Sequence, residues 1–250
     1  MFYYKSQGIY KEEEYVAYLN GKRVKEVNSR FQKCFKDLFE DTDEDDIISA
    51  WKNDIPQKTD FFVKINKEIK KVSLKTGAKN SVHVIAISKF TRFLNENGVP
   101  QRQIIEYLKY HFADGTLNGS GQVRQSVKEY KEIHQEKIDE LNRYLNEKIL
   151  VINAIERFVT RGDNDSSKID LLIYGEIDSF LYIKTDEIEE LLLSKINHYS
   201  SGVHISVLSC QPMTRCLNRN PKYEKNRFSV QFKWFNLFDD IIEYRDKKSE

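Results

Sequence analysis

The stretch Lys58 to His83, KTDFFVKINKEIKKVSLKTGAKNSVH, leaves the chain few conformational options. DFFVKI is a short run rich in aromatic and β-branched residues, Asn66-Lys67 is a polar two-residue turn, and EIKKVSLK is a second run of strand character. Together they read as a β-hairpin. Successive side chains on a strand alternate faces, so Ser73 and Lys75 share one side and Leu74 takes the other. The turn brings the end of the second strand back beside Asp60 at the start of the first. A carboxylate, an oxygen ligand and a lysine meeting there suit a divalent cation and an attacking water, the apparatus of phosphodiester hydrolysis.

An Asp, a hairpin and then acid-x-Lys resembles the signature of the PD-(D/E)XK nuclease superfamily, which includes many type II restriction endonucleases. The resemblance covers this hairpin and, more loosely, the order of the surrounding elements. It implies an α/β fold, DNA as substrate and Mg²⁺ as cofactor, with Mn²⁺ able to replace it. It also implies Asp60 as metal ligand and Lys75 as the residue that orients the water and offsets phosphate charge. Ser73 stands where the family carries its second acid, giving S-L-K for E-L-K. Such nucleases often carry a further glutamate on a preceding helix. Glu14 is the candidate here, as catalytic residue and metal ligand, with Glu13 beside it. Cleavage of both strands would suit a homodimer, whose twofold axis matches that of the duplex.

The segment from Lys11 to about Trp51 reads helical. VNSRFQKCFKDLFE sets Phe31, Cys34, Phe35, Leu38 and Phe39 on one face, and Glu14 is followed by Val16, Ala17 and Leu19. The acidic run Glu40 to Asp46 lacks calcium-loop spacing and reads as a solvated loop. After the hairpin, Asn80 or Ser81 is placed to cap a helix over NSVHVIAISKFTRFLNEN, with His83 in its first turn as a contact to phosphate or water. Pro100 opens another helix. A long charged helix, broken once, is expected from about Gln122 to Arg161.

The remainder changes character. KIDLLIYG, SFLYIK, VHISVLSC and RFSVQFKW read as strands, and TDEIEELLLSKI as an amphipathic helix. The basic connection QPMTRCLNRNPKYEKN offers Gln211, Arg215, Asn218, Arg219 and Arg227, residue types that contact base edges and phosphates. Lys233 on the following strand and Asn80 after the hairpin complete the expected DNA-contacting set.

Formal net charge is +1, so nucleic-acid binding would require a local basic patch. The three cysteines, Cys34, Cys210 and Cys216, form no CxxC pair, which suits a reducing compartment and a cytoplasmic location. The apolar runs are too short to span a membrane, and MFYYKSQGIYKEEE lacks a signal-peptide core. Serine-hydrolase and zinc-protease spacings are absent. The expected architecture is a central mixed β-sheet carrying the hairpin, flanked by helices, with a strand-rich C-terminal portion that completes the sheet or reads DNA. Residues 1–120 would hold the helical N-terminal segment and hairpin core, and 121–250 the long helix and C-terminal strands, packed as one unit. Two alternatives are a non-catalytic nucleic-acid-binding or regulatory protein on a degenerate nuclease fold, and an interaction scaffold built on the long helix.

Overall fold

The computed structural model describes residues 7–76, 80–163, 167–197, 202–213 and 221–249. In chain order its helices and strands begin with α1 (Gln7–Leu19), α2 (Ser29–Leu38), β1 (Ile48–Lys52), β2 (Phe61–Ile65), β3 (Glu68–Lys75), β4 (Ser81–Ala86), α3 (Ile87–Glu96) and α4 (Gln101–Phe112). They continue with α5 (Val127–Leu145), α6 (Lys148–Ala154), β5 (Leu171–Tyr174), β6 (Leu181–Lys184), α7 (Thr185–Ser194), β7 (His204–Ile205), β8 (Leu208–Pro212), β9 (Ser229–Trp234) and α8 (Leu237–Ser249). The chain divides into two compact units, each discontinuous in sequence. Met1–Asn80, Glu156–Leu191 and Asn236–Glu250 form the first, and Ser81–Ile155 with Leu192–Phe235 the second. This division differs from a boundary near residue 120, because strands distant in sequence pair within each unit.

The first unit carries the expected mixed sheet, in the order β1-β2-β3-β5-β6, with β3 and β5 parallel and the other pairs antiparallel. The hairpin turns at Asn66, whose φ of 53° is a left-handed conformation that asparagine tolerates. One face of the sheet packs under α1 and α2. Tyr15, Leu19, Phe31, Cys34 and Phe35 meet Ile48, Ala50, Phe61, Val63 and Val72 in one buried cluster. Phe31 lies 4.4 Å from Phe180 between ring centroids, and burying such a side chain contributes roughly 1.5–3 kcal/mol. Asn28 caps α2 by accepting from Phe31 N at 3.1 Å. The opposite face carries Trp51, Phe62, Lys71, Ser73 and Lys75, as the cross-strand register requires.

The second unit holds a four-stranded antiparallel sheet, β4-β9-β8-β7. Its apolar face meets α3 and α4, with Phe90 5.4 Å from Phe232 and 4.9 Å from Tyr107 between centroids. Two buried amides, Asn142 on α5 and Asn146 just after it, satisfy backbone groups of the edge strand β7 and the residue that follows it. Asn142 receives His204 N at 3.0 Å, and Asn146 receives Ser206 N at 2.9 Å. The long helical region is interrupted as expected, and α5 itself kinks at His134.

Three expectations are corrected. Ile48–Lys52 is the edge strand β1 rather than part of a helical segment, since its backbone pairs with β2. Ser81–Ala86 is the strand β4, and the helix begins only at Ile87, because β9 offers VHVIA a pairing partner some 150 residues away. The C-terminal strands β8 and β9 join β4 in a second sheet and do not extend the hairpin's sheet. Among the described residues no helix is long and apolar enough to cross a membrane.

Candidate active site on the hairpin

Asp60, Ser73 and Lys75 meet at the open end of the hairpin. Asp60 N donates to Val72 O at 2.8 Å, which carries the β2–β3 pairing one residue past the strand and fixes the aspartate backbone. Its carboxylate then gathers three donors on one oxygen. Leu74 N donates to Oδ2 at 2.6 Å, Ser73 Oγ at 3.1 Å and Lys75 Nζ at 3.4 Å. Among the described residues none donates to Oδ1. Lys75 Nζ also donates to Ser73 Oγ at 3.0 Å and Leu74 O at 3.1 Å. The side chains of Lys75 and Asp60 keep 18% and 20% of their surface, so the cluster is sheltered yet open to a ligand.

Glu14 takes no part in this cluster. Lys11 Nζ binds it at 2.9 Å and binds Glu176 at 2.6 Å. The α1 carboxylate that feels the charge of Asp60 is Glu12. Burial, and then the negative charge of Asp60, raise its pKa above the ordinary value, while Lys52 at 3.5 Å and the charge of Lys75 oppose the shift. The helical phase explains the exchange. Tyr15 and Leu19 are the fully buried positions of α1 while Ala17 is exposed. Glu12, three residues before Tyr15, therefore lies on the sheet-facing side, and Glu14 does not.

Sequence reasoning also missed Lys58. This lysine is buried, and its Nζ donates to Phe158 O at 2.7 Å in the π-helical turn Ile155–Thr160. Burial, and then the charge of Lys75, push its ammonium well below the ordinary value against the pull of Asp60. Nothing in the local pattern KTDFF distinguishes a buried lysine from a solvated one.

The remaining sequence candidates are dispersed. His83 lies on β4 in the second unit rather than in a helix's first turn, beside Phe232 at 6.2 Å between ring centroids. Asn80 precedes β4 with φ 43°. Gln211 and Lys233 share a polar face of the second sheet with Gln231, which donates to Ser81 Oγ at 3.0 Å. Arg227 is committed elsewhere. Its Nη2 binds Asp114 at 2.8 Å and donates to Gly121 O at 2.6 Å, with 13% of the arginine side chain and none of the aspartate exposed. Arg215, Asn218 and Arg219 lie outside the described residues.

Among the described residues there is no group of three or more His, Cys, Asp or Glu side chains placed to hold a metal ion. Asp60 is the carboxylate the hairpin provides, and α1 adds Glu12, whose proton affinity is raised by burial and by the Asp60 charge. A site of one or two carboxylates completed by water and substrate phosphate is the usual habit of Mg²⁺.

No protein-family model matches the sequence, and no curated protein matches it. Among solved structures the chain is similar to restriction endonuclease MspI, in a crystal with its cognate DNA, at 17% identity and a TM-score of 0.48 over 90% of this chain and 85% of that one.

Proposed function

We propose that this protein is a Mg²⁺-dependent endonuclease that hydrolyses DNA phosphodiester bonds at the end of the β2–β3 hairpin. The observation that carries the reading is the convergence of Asp60, Ser73 and Lys75 within hydrogen-bonding distance.

Asp60 and Glu12 would hold the cation, with Ser73 Oγ available as a neutral oxygen ligand. When bound, it would supply Lewis acidity toward the phosphate and lower the pKa of a water. The three donors on Asp60 Oδ2 fix the carboxylate plane and direct Oδ1 outward. Lys75, held by Asp60, Ser73 and the Leu74 carbonyl, places an ammonium where negative charge develops on the scissile phosphate. Lys58 keeps the Asp60 backbone seated by anchoring the preceding loop to Phe158. The polar face of the second sheet, with Gln211, Gln231 and Lys233, would offer phosphate and base contacts of its own, as would Arg215, Asn218 and Arg219. Cutting both strands calls for a homodimer.

Ser73 in the acid position favours one other reading, a nucleic-acid-binding protein that has lost the chemistry. Incubating plasmid and phage DNA with Mg²⁺ or Mn²⁺, for the wild type, Asp60→Ala and Lys75→Ala, separates the two. Metal-dependent fragments lost in both variants support the nuclease. Salt-sensitive binding without cleavage supports the binder. Cleavage that persists in both variants removes the hairpin from the account.

A further inference from the structure

We infer that Trp51 and Phe62 form a stacking platform for an unpaired base of the DNA strand entering the hairpin site, an inference that rests on the nuclease reading. The two rings are cross-strand partners on β1 and β2, with centroids 5.4 Å apart and planes 19° from parallel. Trp51 keeps 40% of its surface although it sits in a regular strand. An exposed tryptophan backed by a half-buried phenylalanine on a sheet face is a large apolar surface to leave without a partner.

The register places this pair beside the candidate catalytic residues. Across the open face, Ser49, Lys64 and Ile69 form one row, and Trp51, Phe62 and Lys71 the next. Asp60 lies two residues before Phe62 and Ser73 two residues after Lys71, so they continue the same face in the following row. Two residues along a strand span about 7 Å, of the order of one nucleotide. A base stacked on the exposed side of Trp51, extending the Trp51–Phe62 stack, thus leaves its neighbouring phosphate near Asp60 and Lys75.

Charge selects the occupant. The lysines of this face are Lys64, which is exposed, Lys71, whose ammonium meets Ser167 Oγ, and Lys75. An aromatic surface interleaved with lysine is the composition that binds single strands, through stacking on bases and attraction of phosphates. A second copy of the chain would bring the same lysines against themselves. A paired duplex offers its bases edge-on and leaves the rings without a stacking partner.

The two tryptophans make the test direct, because Trp51 is exposed and Trp234 is fully buried. Intrinsic fluorescence is followed, in EDTA so that no cleavage occurs, while a deoxythymidine oligonucleotide or a blunt duplex of mixed sequence is added. The oligonucleotide is expected to quench emission saturably and in a salt-dependent manner, with much weaker quenching by the duplex. Trp51→Phe should abolish the signal, and Phe62→Ala should weaken binding about tenfold. Absence of quenching, or equal quenching by the duplex, overturns the inference. So does an emission change that follows protein concentration alone, which would mark self-association. If quenching appears in a protein that cleaves nothing, the platform stands and the nuclease reading falls. If wild type cleaves DNA but its emission is not quenched, the reverse holds.

Discussion

Ser73 Oγ donates to Asp60 Oδ2 at 3.1 Å and accepts from Lys75 Nζ at 3.0 Å, standing between the carboxylate and the ammonium. A neutral hydroxyl therefore knits the two charged groups together.

Removing the hydroxyl tests how much of that geometry it holds. Ser73→Ala should lower stability by about 1 kcal/mol, the usual worth of one hydrogen bond, and reduce cleavage severalfold. Ser73→Glu should be less stable than wild type without metal, because a second carboxylate then faces Asp60 in a buried position. Its melting temperature should rise more on adding Mg²⁺ than the wild-type value does. Thermal unfolding with and without Mg²⁺ checks both.

Glu12 should behave oppositely to a stabilising carboxylate. Its ionised form is held against burial and against Asp60, so Glu12→Gln should leave the metal-free protein as stable as wild type or slightly more so. The same substitution should weaken Mg²⁺ stabilisation, because one of two carboxylate ligands is gone. Differential scanning calorimetry across a Mg²⁺ series reads both effects.

In the second unit, the pH dependence of stability should centre on Asp114. Burial alone would raise its pKa, but hydrogen bonds from Thr116 and the Arg227 guanidinium outweigh it and hold the carboxyl below its ordinary value of 3.8. A depressed carboxylate stabilises the fold above the unfolded-state value and loses that contribution as pH falls through the folded one. The stability gap between wild type and Asp114→Asn should thus be largest near neutrality and close below pH 3.8. Arg227→Ala should cost roughly 3–5 kcal/mol at neutral pH by leaving a buried aspartate unpaired. Urea unfolding at several pH values measures these differences.

Lys233 should act through phosphate. Lys233→Ala is expected to weaken DNA binding uniformly across sequences and to reduce the salt slope of log K by about 1. Gln231→Ala should change the slope little, since it removes no charge. Fluorescence anisotropy at several salt concentrations distinguishes the two.

The hairpin was legible because its signals are local: alternating apolar residues, an Asn-Lys turn, and an aspartate immediately before Phe61, the first buried residue of β2. The mixed sheet was legible in β2, β3, β5 and β6, whereas its edge strand β1 was read as helical. β4 was not legible, since a short apolar run such as VHVIA suits a helix or a strand equally until a partner strand is known. The choice of Glu12 over Glu14 depends on a helical phase set by Tyr15 and Leu19 packing on the sheet, and two residues shift a helix face by about 200°. The burial of Lys58 and the pairing of Arg227 with Asp114, 113 residues apart in sequence, are tertiary facts with no local trace.

The central claim is that Asp60 and Glu12 together serve a metal-dependent hydrolysis organised by Lys75. The most direct measurement is supercoiled plasmid cleavage in Mg²⁺ by wild type, Glu12→Gln and Glu14→Gln. Wild type and Glu14→Gln should cut at comparable rates, and Glu12→Gln should lose at least a hundredfold. Cleavage by Glu12→Gln at the wild-type rate, or no cleavage by wild type, would contradict the account.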